Sequence, residues 1–518
     1  MQTSLTVPLA LVVIFVLKKI VDFRNAAQAT KNLPGFRVVW DLFGVNEIMP
    51  RIRGIMFGGD SALQKHGDFA RFGADIYSVV AAFPKVQTTL MIADADILKT
   101  ITGSRLKFPK ALETYGGLSF WGQNLVVSEG HEWKRFRKIS APAFSEPNNR
   151  LVWQETINVM QDLFDNVWGD KKEIVMDHAL HLPFTIALFV IGAAGFGKRM
   201  SWNNVEAPPT GHKMHFQDAM EISSANVTTK ALFPGWMVGL TKRGRNIQLA
   251  FEELEKYMLE MVTEGKMSRA AGNTRHDLFS KLLDASESDL TGEKKLTELE
   301  VISNIFIFLF AGHETTAHTL TFAFALLALY PDEQERLYEE IVKYLPGDKL
   351  PTYEEANSMT YLTAVINETL RMYPPVVAVP KRAAEDTTFV TTTHAGDRLS
   401  VPVPKGSILS LNFYALHYNP KYWENPHAFK PSRFLGDWPR DAFMPFSAGS
   451  RSCIGRRFAE LESMVVLAMI VKNYKIAVKE EPQFAGETLE QRKERLFQVT
   501  FAITQAPVRV PLVFTKRV

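Results

Sequence analysis

Residues 446–455 read Phe446-Ser447-Ala448-Gly449-Ser450-Arg451-Ser452-Cys453-Ile454-Gly455 and contain the only cysteine in 518 residues. A lone cysteine is more often a small buried hydrophobe than a ligand. Its neighbours point the other way. Gly449 and Gly455 tolerate positive φ and close backbone approach, so the chain can fold tightly beneath a flat ligand and aim N–H groups at the sulfur. Arg451 adds a fixed positive charge two residues away, which favours the thiolate and can meet a carboxylate. Beyond Gly455, Phe458, Leu461, Met464, Val465 and Ala468 recur at three- and four-residue spacing, which predicts a buried helix. The thiol thus lies in a tight loop ahead of a helix.

The longest periodic element begins at Thr297. Thr297 and Glu300 have the spacing of a capping box, and Tyr330-Pro331 ends the run. About 32 residues at roughly 1.5 Å each reach about 48 Å, enough to cross a domain. Asn304, His313, Glu314 and His318 interrupt it, so it reads as the core helix of a large protein rather than a membrane span. Its middle is Ala311-Gly312-His313-Glu314-Thr315-Thr316. Phe308, Ala311, Gly312, Thr315 and Thr319 share one face, leaving room for a flat macrocycle and a small gas. His313 and His318 are five apart, about 140° around the helix, so the pair cannot hold one zinc. A threonine placed like Thr315 is usually bonded to its own backbone.

Elsewhere the chain reads as helices broken by a few strands. Residues 75–82 and 86–92 predict a hairpin, with Asp94 capping the next helix. Residues 106–127 form a long aromatic loop that includes Phe120. Trp133 and Arg137 share a helix face. Residues 192–199 imitate a phosphate-binding loop but end in Arg199 where a magnesium-holding hydroxyl is needed. Glu368 and Arg371 stand at i and i+3, with Arg433 sixty residues later. Residues 376–406 are extended; Val377 and Val379 edge a pocket there, while Lys381 and Arg382 point opposite ways, so only one can reach a given carboxylate. Residues 271–295 are polar and read as mobile in part, and 496–513 read as strands.

Composition sets the outer limits. The net charge of +3 is dispersed, which argues against nucleic acid. One cysteine excludes an internal disulfide, an iron–sulfur cluster and a Cys-rich zinc site. Residues 1–23 read as an N-terminal membrane anchor: they carry the uncharged run Leu9 to Leu17 before Lys18-Lys19, at the short edge for a span. A cleaved signal peptide is the rival reading, opposed by the lack of an early Lys or Arg. With the cations after the apolar run, the rest of the chain stays cytosolic. Residues 24–36 read as a hinge and 37–518 as one catalytic domain. Residues 231–240, followed by Lys242, Arg243 and Arg245, make either a membrane-dipping tip or a loop folded on the core.

Phe-x-x-Gly-x-Arg-x-Cys-x-Gly resembles the haem loop of the cytochrome P450 family. Ala-Gly-x-Glu-Thr-Thr, Glu-x-x-Arg with the later Pro-x-Arg-Phe, and Trp-x-x-x-Arg follow that family's order along residues 35–513. The resemblance implies a mainly α fold with a small β region and a long central helix across haem b. It implies Cys453 as the iron's thiolate ligand, with Thr315 and Glu314 delivering protons to oxygen. By the same resemblance Trp133, Arg137, Lys381, Phe446, Arg451, Gly455 and Ala311 surround the haem, and Glu368, Arg371 and Arg433 brace the loop. The Phe-rich stretch at Phe306, Phe308 and Phe310, with Phe120, suggests an apolar substrate of terpenoid, sterol or fatty-acid size. No flavin or nicotinamide fingerprint occurs, so electrons come from another protein. For a microsomal, fungal-like member this implies an NADPH-dependent flavoprotein reductase at the endoplasmic reticulum membrane, docking on Lys134, Arg135, Lys138, Arg456 and Arg457. A haem-thiolate isomerase or dehydratase is the alternative, opposed by the intact Glu314-Thr315 pair.

Overall fold

The computed structural model describes residues 3–41, 51–58, 64–202, 207–271, 277–287, 295–501 and 503–517. It is about 54% helical with small sheets. The chain divides into two compact units. One is built from Met1–Thr114, Val376–Ala428 and Pro439–Cys453; the other from Tyr115–Pro375, Phe429–Trp438 and Ile454–Val518. Residues 37–518, expected as one domain, contribute to both.

The helices that position functional residues are α1 (Thr3–Ala29), α2 (Gly130–Ser140), α3 (Lys242–Ala270), α4 (Glu298–Leu329), α5 (Thr360–Met372) and α6 (Arg456–Asn473). The first strands in the chain are β1 (Gly35–Trp40), β2 (Ile76–Phe83), β3 (Gln87–Ile92) and β4 (Glu173–Met176). After them come β5 (Ala378–Arg382), β6 (Thr387–Thr392), β7 (Arg398–Val403) and β8 (Ile408–Asn412). The last are β9 (Tyr474–Val478), β10 (Val499–Phe501), β11 (Gln505–Pro507) and β12 (Leu512–Lys516).

In the first unit a five-stranded mixed sheet runs in the order β1-β2-β3-β8-β5, and β6 pairs with β7 as a separate hairpin. Val79, Val80, Leu90, Ile92, Leu409 and Leu411 are buried, the pattern of central strands covered on both faces. The predicted hairpin is present as β2 and β3, antiparallel, with Ser78 opposite Leu90. Asp94 caps the following helix by accepting from the Asp96 and Ile97 N–H groups at 3.0 Å. Helix α1 leans on this hairpin. The Lys19 Nζ donates to the Ala82 and Pro84 carbonyls at 3.2 Å, and the Phe15 and Phe83 rings meet edge to face.

Residues 24–36 were expected as a hinge. Helix α1 continues to Ala29, and Leu33 is buried with its carbonyl bonded to the Ser78 hydroxyl and the Arg37 guanidinium. Among the described residues no helix is long and apolar enough to cross a membrane. Leu11, Ile14 and Leu17 of α1 are nevertheless exposed.

In the second unit α4 is the axis. Its capping box is formed: Thr297 Oγ1 accepts from the Glu300 N–H and the Glu300 carboxylate accepts from the Thr297 N–H. Helix α4 packs on His181–Val190, on α5, and on the sheet β4-β12-β9 through β9. Within residues 271–295, Leu278–Glu287 is a helix; 272–276 and 288–294 lie outside the described residues. The phosphate-loop look-alike is a wide turn, Ile191–Gly195, at the end of His181–Val190, and Arg199 pairs with Glu155 at 2.6 Å.

Candidate active site

Backbone bonds close the cysteine loop. The Cys453 N–H donates to the Phe446 carbonyl at 2.9 Å and the Ser447 N–H to the Met444 carbonyl at 3.0 Å. Gly449 takes φ +69°, and a Cβ there would lie 2.2 Å from the Thr102 carbonyl oxygen. Only glycine allows that approach. Gly455 behaves differently from the expectation: its φ is −88°, and a Cβ would meet nothing nearer than Phe144 at 3.7 Å. The loop leaves Cys453 exposed, with Phe446 and Arg451 half-buried.

On β5 the two cations part company. Lys381 is buried, whereas Arg382 donates to the Gly406 carbonyl at 2.7 Å and pairs with Glu113. Val377 and Val379 are half-buried; the Val377 carbonyl accepts from the Tyr414 N–H at 3.1 Å, and Val379 lies opposite Leu411.

Within α4 every residue from Val301 to Leu327 is buried except Ala311, Gly312 and Thr315. The predicted small-residue face is thus an open notch in an otherwise covered helix. Thr315 Oγ1 donates to the Ala311 carbonyl at 2.9 Å, the backbone bond its position favours. Gly312 has Ile191 against it, 3.2 Å from where a Cβ would be.

Glu314 is buried next to the notch. Its Oε1 accepts from the Thr504 hydroxyl at 2.8 Å, and its Oε2 has no hydrogen-bond partner. Burial pushes its pKa up to about 7, with the Thr504 bond pulling the other way. Thr504 had no signal in the sequence. It lies 190 residues further on, and a single hydroxyl between strands carries no pattern. Burial also lowers the neighbouring histidines, His313 to about 4 and His318 to about 3, so both are neutral. His313 Nδ1 meets the Leu309 carbonyl in its own helix at 2.5 Å.

On α2, Trp133 is buried and Arg137 half-buried. Arg135 corrects the sequence reading. Expected in an exposed cationic cluster, it is only 3% exposed, pairing with Glu132 at 2.6 Å and with Glu300 of the α4 cap. Arg456 and Arg457 are also engaged, both with Glu460 and Arg457 with Asn357 as well.

Glu368, Arg371 and Arg433, which the resemblance grouped, share one set of hydrogen bonds. Glu368 Oε2 accepts from Arg371 Nε at 2.7 Å, and Oε1 accepts from Arg371 Nη2 at 3.0 Å, Arg433 Nε at 3.0 Å and the Lys430 N–H at 2.9 Å. Glu368 and Arg371 are fully buried.

The aromatic residues form a packed cluster instead of lining the notch. Phe306 stacks on Phe310 with centroids 5.7 Å apart and meets Trp121 at 4.8 Å, while Phe120 meets Phe306 and Phe251. Around the helix axis Phe306 and Phe310 lie about 140° and about 100° from Ala311, which puts them on another face.

Comparison with known proteins shows the family. The cytochrome P450 family model matches residues 52–499. The chain is 52% identical over its full length, and the relative's, to cytochrome P450 monooxygenase 124 of Postia placenta. It is 31% identical to cytochrome P450 4A7 of Oryctolagus cuniculus, covering 75% of each chain. The fold resembles the crystal structure of the cytochrome P450DA heme domain, with a TM-score of 0.74 and 21% identity across 94% of this chain and 98% of that one. The mainly α architecture, the cysteine loop, the notched helix and these matches lead to one conclusion: the chain belongs to the cytochrome P450 family and is a haem-thiolate monooxygenase.

Proposed function

We propose that this monooxygenase inserts one atom of dioxygen into an apolar molecule of terpenoid, sterol or fatty-acid size, with Cys453 as the thiolate ligand of haem b. The residues present suit that group. An exposed thiol sits in a loop that glycine alone can close at position 449, and the notch at Ala311, Gly312 and Thr315 offers side chains too small to obstruct a flat ring. Trp133, Arg137, Lys381 and Arg451 would hold its periphery. When bound, haem supplies the iron at which dioxygen is reduced with two electrons and two protons.

The chain's own contribution is proton handling. Glu314, near neutrality in its pKa, holds a proton at its unpartnered Oε2 and exchanges it without a large energetic step. Thr315 releases its bond to the Ala311 carbonyl by rotating χ1 and presents the hydroxyl to the notch. This pair carries the reading, and it favours oxygen activation over an isomerase or dehydratase, which does not activate dioxygen. The aromatic cluster around Trp121 and Phe306 gives the unit a rigid apolar wall.

Electrons come from a redox partner, for which we propose an NADPH-dependent flavoprotein reductase. Arg135 drops out of its docking surface because burial and two carboxylates occupy it; Lys134 and Lys138 remain exposed. Attachment to the endoplasmic reticulum membrane would use the exposed apolar residues of α1. A second contact is the tip at Phe233, Trp236 and Leu240, where Trp236 is 72% and Leu240 70% exposed next to Lys242 and Arg243. The direct test is the spectrum of reduced protein with carbon monoxide. The strongly red-shifted band of thiolate ligation is expected and should vanish in Cys453→His; its persistence there overturns the ligand assignment. Products 16 mass units heavier, formed from a metabolite extract with reductase, would identify the substrate.

A further inference from the structure

We propose that His66, Asp75 and His394 form a binding site for one divalent cation of the zinc class. The three residues come from separate parts of the first unit. His66 precedes the short helix Gly67–Phe72, Asp75 immediately precedes β2, and His394 sits in the turn between β6 and β7. Their donor atoms converge. His66 Nε2 lies 2.9 Å and His394 Nε2 3.0 Å from the same Asp75 Oδ1, and one ligand atom from each residue falls within 4.8 Å of the others.

Two imidazoles and one carboxylate are a ligand set that zinc accepts, with a fourth position left for water. Zinc bonded at about 2.1 Å to nitrogen and oxygen separates tetrahedral ligands by about 3.4 Å. The present contacts need to open by only a few tenths of an ångström. The surroundings also suit a cation. The His66 ring lies flat on Phe69, 5.5 Å between centroids, which fixes its direction. His66 and Asp75 are buried, whereas His394 is 36% exposed on its side chain and gives a path for the ion and its water.

The backbone brings the turn to this point independently of any ion: the His394 N–H donates to the Gly73 carbonyl at 2.8 Å, and Thr393 bridges Ala74. A bound cation would lock the β6–β7 turn onto the start of β2. It would lie outside the haem chemistry, since none of the three residues belongs to the proposed haem or proton-delivery groups.

The experiment uses the full-length, haem-loaded protein after treatment with a chelator. Zinc is titrated against a chromophoric indicator, with haem absorbance recorded throughout. One equivalent of zinc per haem is expected, along with a rise in the thermal midpoint. His394→Ala should weaken zinc affinity at least tenfold and abolish that rise, with haem content unchanged, and Asp75→Asn should do the same. If Asp75→Asn does not fold, His394→Ala decides alone, because its position is half-exposed. Less than a tenth of an equivalent bound to wild type, or equal affinity in wild type and His394→Ala, overturns the site.

Discussion

Two buried glutamates in the same unit show how one side chain serves opposite ends. Glu368 is surrounded by two guanidinium groups and a backbone N–H, so its charge is neutralised where it stands. Glu314 has one hydroxyl on one oxygen and no partner on the other, and burial raises its pKa to about 7. The first arrangement fixes a structure. The second leaves a proton exchangeable near neutral pH, because neither the charged nor the neutral form is strongly favoured.

Removing the carboxylate at position 368 should have the largest effect. Glu368→Ala leaves Arg371 buried and uncompensated, a change that costs about 3–5 kcal/mol. The yield of soluble, haem-loaded protein should collapse. A normal yield would mean that the trio is not structural and would end the contrast.

Glu314 predicts a smaller effect with a definite sign. Its folded pKa, about 7, exceeds the ordinary 4.5, so the native state holds the proton more tightly than the unfolded one. Its contribution is fully present below about pH 4.5 and is lost as pH rises to about 7, by about 3 kcal/mol at most. Urea midpoints of wild type and Glu314→Gln should diverge across that window, with the variant gaining relative stability as pH rises. Parallel curves would show that Glu314 is as fixed as Glu368.

Thr504→Val sharpens the comparison further. Loss of its hydrogen bond should cost about 1 kcal/mol and move Glu314 still higher. The pH profile of product formed per electron consumed should shift upward by under about one unit; an unmoved profile would separate Thr504 from the acid it contacts.

Thr315→Ala should change stability least, by under about 0.5 kcal/mol, since its hydroxyl bonds only a helix carbonyl. It should still divert electrons to peroxide while substrate binding stays intact. Unchanged coupling would remove Thr315 from proton delivery.

Much of this was legible in the chain. Periodicity and caps are local, so the hairpin at β2 and β3, the Asp94 cap, and the start and end of α4 followed from neighbouring residues. Spacing alone left Glu368 and Arg371 as a possible surface pair; the family resemblance is what tied Arg433 to them. Other features depended on partners distant in sequence. Arg135 reads as one cation among several until Glu300 reaches it, and Thr504 has no pattern that links it to Glu314. The spacing of Phe306 and Phe310 shows a shared stretch, while the contacts of Trp121 and Phe120 with Phe306 come from residues far away in sequence.

The sequence by itself determined the chemistry: one cysteine between glycines, one acid–threonine pair in a capped helix, and no second cofactor motif. These are properties of residue type and spacing, and they hold however the chain packs. Tertiary structure alone decided which charges are buried, which carboxylate keeps an unpartnered oxygen, and that His66, Asp75 and His394 meet across more than 300 residues. Desolvation and distance set those outcomes, and both depend on what lies nearby in space rather than along the chain.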